Sequence, residues 1–275
     1  MQTLDMATTP LREVNATLQA AKDQTNATEW EVLNPRGSHA VAVGLDGPIS
    51  VTVRGSTGYY TAGMNKQAQG TGSNATDWEI LNPRGAHALA VGLDGPLSVT
   101  VRGATGYYTG GMNKHATVHV EGSAGPGVAE NMMSGTVVID GDASQYAGAT
   151  GRGGLLVIKG NAASRCGISM KGIDIVVGGN IGHMSAFMAQ AGNLVVLGDA
   201  GDALGDSLYE ARIFVRGTVK SLGADCIEKE MRPEHVEILR DLLARAGMDA
   251  DPAAFRRYGS ARKLYNFDID NASDY

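Results

Sequence analysis

The chain is poor in cysteine: Cys166 and Cys226 are its only two among 275 residues. Two thiols make no disulfide framework, and they cannot supply the four thiolates of an iron–sulfur cluster. Long apolar runs are also missing. No stretch approaches the roughly 18 residues of a membrane-crossing helix, and Met1 to Ala21 lacks the basic start and apolar core of an export leader. The expected compartment is the cytosol. A net charge of -6 without any basic block argues against nucleic acid as a partner. Aromatic residues make up only 5% of the chain. No nucleophile elbow, phosphate loop or dinucleotide fingerprint occurs, nor the six-residue period of acyltransferase β-helices. Catalytic, cofactor-binding and metal-binding residues are therefore all expected to be none.

What the chain has is glycine, 38 residues of it, about twice the usual share. Seven stand nineteen residues apart: Gly103, Gly122, Gly141, Gly160, Gly179, Gly198 and Gly217. Four and two residues before them stand aliphatic pairs, Val99/Val101, Val118/Val120, Val137/Ile139, Leu156/Ile158, Ile175/Val177, Leu194/Val196 and Ile213/Val215. Alternation ending in glycine is a short strand with one buried face and a turn after it, and a fixed period means a unit stacked on copies of itself. This predicts an all-β fold, a single-stranded parallel β-helix of nineteen-residue rungs. At a strand spacing of about 4.8 Å, six intervals span roughly 29 Å. Small residues fill the columns three and seven places on, among them Gly106, Gly125, Gly182 and Gly201, then Gly110, Gly148, Gly167 and Gly205. Tight corners need residues that tolerate φ > 0 or close backbone approach. Directly after the anchors, Asp142, Asn161, Asn180 and Asp199 form a candidate Asx ladder; the calcium-binding nonapeptide of other β-helices is not present.

Four segments follow. Residues 1–25 form an N-terminal helical arm, with Thr9 as cap and Pro10 in the first turn of a helix running to about Ala21. Residues 26–73 hold the first copy of a tandem duplication, since 26–66 recur as 74–114. The 48-residue offset is no multiple of nineteen, so the first copy is either an extra rung and cap stacked ahead of the helix or a duplication without function. Gln67 to Ser73 is a polar linker. Residues 74–230 carry the rungs. Residues 231–275 hold a helix over Glu234 to Ala246, stopped by Gly247 and expected to cover an open end, then a tail whose Tyr258, Leu264, Tyr265 and Phe267 are expected to dock.

The column just before the anchors reads Arg102, Glu121, Asp140, Lys159, Gly178, Leu197 and Arg216, mixed in sign like a salt-bridged surface rather than an acid–base site. His115 and His119 have metal-like spacing without a third ligand, and His183 stands alone in the column of Tyr107. Cys166 reads as a small core residue. Three residues before the anchors the chain reads Val138, Val157, Val176, Val195 and Phe214, where a solvated strand would be polar. That stripe is a candidate interface or is covered by the chain's own tail, with Met132, Met133, Met170, Met184 and Met188 near the corners.

The Gly-x-x-Gly-x-x-x-Gly spacing at Gly103, Gly106 and Gly110, and at Gly198, Gly201 and Gly205, resembles the GXGXG β-helix domain that closes the large chain of glutamate synthase, over about Trp78 to Glu230. Stretches such as "GSAGPGVAENMMSG", "GDASQYAGATGRGG", "GISMKG" and "SLGADCIEKEMRPEH" resemble its stand-alone form, the GlxC-type subunit also described as a subunit of N-methylglutamate synthase. The β-helix subunit of formylmethanofuran dehydrogenase and of the formyltransferase/hydrolase complex shares the spacing and is the alternative. Ser144, Ala163, Ala129 and Ala186 depart from the pattern but stay small. The resemblance implies a right-handed coil and a scaffold between a glutamine amidotransferase-like subunit and an FMN-binding glutamate synthase-like subunit, which would carry the FMN and any iron–sulfur cluster. It implies no catalytic group in this chain.

Overall fold

A computed structural model describes residues 1–21, 28–47, 49–66 and 77–263. The chain winds into a β-solenoid of about nine turns. Its strands are β1 (Gln2–Asp5), β2 (Thr28–Leu33), β3 (Ile49–Arg54), β4 (Asp77–Leu81), β5 (Ser98–Arg102) and β6 (Thr117–Val120). They continue as β7 (Thr136–Ile139), β8 (Leu155–Ile158), β9 (Lys171–Val177), β10 (Ala191–Val196), β11 (Arg212–Val215), β12 (Cys226–Lys229) and β13 (Arg256–Ser260). From β1 to β11 each strand pairs in parallel with the next in sequence. The aliphatic pairs of the nineteen-residue repeat all face inward and are fully buried, from Val99 to Val215.

The duplicated segment lies in the same sheet. Trp30 pairs with Val51 and Val53 pairs with Ile80, so the first copy forms one coil of 21 residues and one of 27, which together make the 48-residue offset. The second copy repeats the first half, pairing Trp78 with Val99. The Trp-containing strand, expected as a cap, is thus a rung in its own right, and the irregular period leaves the parallel strand register intact. Most of the excess falls between Lys66 and Asp77, where the polar linker lies outside the described residues.

Two devices tighten the coil. In the Asx ladder each side-chain oxygen accepts the backbone N–H of its counterpart one turn on: Asp142 from Asn161 at 2.7 Å, Asn161 from Asn180 at 2.9 Å, Asn180 from Asp199 at 2.7 Å. Ser123 and Thr218 extend it at the two ends. This is why the later anchors are glycine. A Cβ on Gly160, Gly179, Gly198 or Gly217 would strike the ladder oxygen of the preceding turn, although none of these has a positive φ. The second device is a corner with alternate left-handed residues, for example Gly127, Ala129 and Asn131. Their N–H groups bond alternately to the next and previous turns, to Gln145, Thr109 and Ala149 oxygens. A non-glycine residue there costs about 1 kcal/mol, which those cross-turn bonds offset. Ala129 and Ala186 show how the departures from glycine are accommodated: both adopt the left-handed conformation, at φ 56 and 58.

The ends are closed differently. Helix α1 (Leu11–Ala20) buries Val14 and Leu18 against the core beneath Trp30 and Val32, with Asn15 bonded to the backbone of Ala40 and Ala42. Pro10, not Thr9, occupies its N-cap position, and no side chain caps the helix. Helix α2 (Pro233–Ala246) ends at left-handed Gly247 but does not close an end. It lies along the side of the solenoid. β13 then enters the sheet antiparallel, between β11 and β12. Tyr258 is buried there, while Leu264, Tyr265 and Phe267 lie outside the described residues.

Candidate interaction surface

The apolar stripe is occupied by the chain itself. Val157, Val176, Val195 and Phe214 are at most 2% exposed, packed with Leu239, Leu242 and Leu243 of α2 and with Phe255, and Val138 lies partly buried at the edge. Of the two occupants left open, a partner or the chain's own C-terminal part, the second takes the stripe as an internal seat for α2 and Phe255; the sequence placed the apolar face but did not say which segment it receives. Met132 and Met170 are core residues, whereas Met133 and Met188 are exposed.

An open apolar face lies elsewhere, on the four coils of the duplication. His39, Tyr59, His87 and Tyr107 stack in a column with ring centroids 4.8, 4.8 and 4.4 Å apart, the spacing of the strands beneath them. Each histidine Nδ1 accepts a backbone N–H from the following tyrosine at 2.8 Å, which puts the proton of the neutral ring on Nε2. Gly58 and Gly106 are required under the rings, because a Cβ at either would run into His39 or His87. Beside the column, Tyr60, Tyr108, Met64 and Met112 stand at left-handed corners. Together with Tyr59 and Tyr107 they remain between 45% and 54% exposed. Rigid tyrosines and adaptable methionines held out to solvent are typical of contact surfaces. The sequence held a signal for this face: Tyr-Tyr and Met recur at the same places in both copies of the repeat.

The charged column forms ladders along one edge. Arg102 bridges Glu79 and Glu121, and Asp140 holds Lys159 at 2.7 Å and His119 at 3.0 Å. Burial pushes the Asp140 carboxyl up, but the bonds from Lys159 and His119 together hold it below its ordinary range. His119 is thus a hydrogen-bond partner of Asp140, while His115 turns to Ser134. Among the described residues no three His, Cys, Asp or Glu side chains gather as a metal site. His183 is exposed in the continuation of the aromatic column. Burial pushes the Cys166 and Cys226 thiols up to about 12, so neither supplies a thiolate at neutral pH.

No protein-family model matches the sequence, and no solved structure matches the chain. One curated relative does match, Protein GlxC of Rhizobium meliloti strain 1021, 63% identical over 276 aligned residues that take in all of both chains. The chain belongs to the GlxC family. Because the match is full-length, the helix α1, the duplicated coils and the α2 clamp lie within the aligned region. No helix among the described residues is long and apolar enough to cross a membrane.

Proposed function

We propose that this chain is a non-catalytic scaffold subunit of a glutamate synthase-like complex of the N-methylglutamate synthase type. It holds a glutamine amidotransferase-like subunit and an FMN-binding synthase-like subunit in register, so that a reactive amine passes between their sites without escaping. The FMN and any iron–sulfur cluster belong to the partners. The observation that carries this reading is the exposed Tyr59/Tyr60/Met64 and Tyr107/Tyr108/Met112 face, held out on a stiff solenoid. The full-length likeness to Protein GlxC and the motif resemblance set out above support the choice of assembly.

The test is affinity purification of the tagged chain, followed by mass spectrometry and a flavin absorption spectrum. Recovery of an amidotransferase-like chain with a yellow FMN-bearing chain is expected, and Tyr59→Ser with Tyr107→Ser should lose at least one of them without changing the circular dichroism. A chain that emerges alone and colourless from cells making all the subunits sinks the proposal.

A further inference from the structure

The geometry points to a binding cleft for a small multiply charged anion, a phosphate or dicarboxylate compound, between β11, β13, β12 and the start of α2, gripped by Arg212, Arg257 and Lys229. It stands independently of the scaffold reading. The cleft encloses about 430 Å³, within the range of small-molecule sites. Its floor follows from the antiparallel return of β13. Arg257 lies opposite Phe214 on one side and directly opposite Lys229 on the other, and Arg212, two residues before Phe214 in β11, shares its face, so three cations project from one face of adjacent strands.

Like charges directly opposite in a ladder are destabilising. Among the described residues no carboxylate forms a direct ion pair with either member of this pairing, and Glu234 and Glu230 offset the charge of Arg257 only in part, since its guanidinium stays lowered. Arg257 donates from Nε to the Glu230 backbone oxygen, and among the described residues neither Arg212 nor Lys229 pairs with an acid. Among the described residues the one carboxylate lining the cleft, Glu210, is held by Arg262 at 2.7 Å. Arg232 stands at the rim between Glu230 and Glu234. Burial lowers the Arg257 guanidinium from its ordinary value, and Arg232 and Arg212 lower it further. Burial likewise lowers His235, whose Nδ1 is used by the backbone N–H of Arg232. Partly buried, mutually repelling cations around a cleft, in a chain of net charge -6, are what an anionic ligand would neutralise.

Isothermal titration of the full-length chain with sodium pyrophosphate and with sodium succinate, against sodium chloride of matched ionic strength, tests this. At least one probe should bind saturably at a single site. Arg212→Gln and Arg257→Gln should each weaken it about tenfold or more. Arg257→Lys should fall between, since it keeps the charge without the planar fork, while Lys220→Gln outside the cleft should change nothing. Pyrophosphate alone would identify a phosphate compound, and succinate binding a dicarboxylate. Absence of saturable binding by both probes, or equal binding by wild type and folded Arg212→Gln and Arg257→Gln variants, overturns the proposal.

Discussion

Truncating Leu239 to alanine separates the helix clamp from the coil it covers. Leu239 is fully buried at the centre of α2, against the stripe that includes Val176, Val195 and Phe214. A buried leucine-to-alanine change costs about 2–5 kcal/mol, the spread reflecting how far the site collapses. The strands under the helix do not depend on it for their hydrogen bonds, because β7 to β11 bond to one another along the solenoid. The cost should therefore fall on docking of α2 rather than on the coils. Hydrogen exchange followed by mass spectrometry reads this directly. Amides of α2 should exchange roughly 30-fold to several thousandfold faster in the variant, at about tenfold per 1.4 kcal/mol, while β5 to β8 keep their protection. If exchange in α2 is unchanged, the helix is not held by this contact. If every coil loosens together, the solenoid and its clamp are one cooperative unit and the reasoning fails.

Three further outcomes are expected. Gly179→Ala should cost about 1–3 kcal/mol in urea unfolding, since its Cβ collides with Asn161 Oδ1, whereas Gly37→Ala, with φ +79 but open space around it, should cost only about 1 kcal/mol; equal costs would remove the ladder from the explanation. Asn180→Ala, which deprives the Asp199 N–H of its acceptor, should lose about 1 kcal/mol by the same assay, and no loss would show that water replaces the bond freely. Asp174 lies partly buried near Arg245, and burial raises its carboxyl above the ordinary value despite the bond from Asn193. A raised folded pKa gives a stability contribution that is present below the unfolded value and lost as pH rises through the folded one, so on going from pH 4 to pH 7 Asp174→Asn should gain more stability, or lose less, than wild type; an unaltered pH profile contradicts it.

The nineteen-residue glycine period and the inward aliphatic pairs were enough to read the solenoid, because stacking of identical coils is a local rule applied repeatedly. The Asx ladder was legible for the same reason: equivalent residues one turn apart must meet. The duplication was harder. Its offset breaks the period, and only pairing in space shows two coils of unequal length, since a corner can swell without disturbing strand register. The aromatic face was half legible, as repeated tyrosines and methionines whose stacking depends on that register.

Sequence by itself determined the repeating coil, the buried faces of its strands and the existence of an apolar stripe on the outside, all set by alternation along single strands. What covers that stripe was decided only in three dimensions, as were the antiparallel return of β13 and the three cations it aligns. Those features join segments far apart in the chain, and no periodicity links α2 to Val157 or Arg257 to Lys229. They form because the last coil must end somewhere, and the chain after it folds back onto the apolar surface it finds.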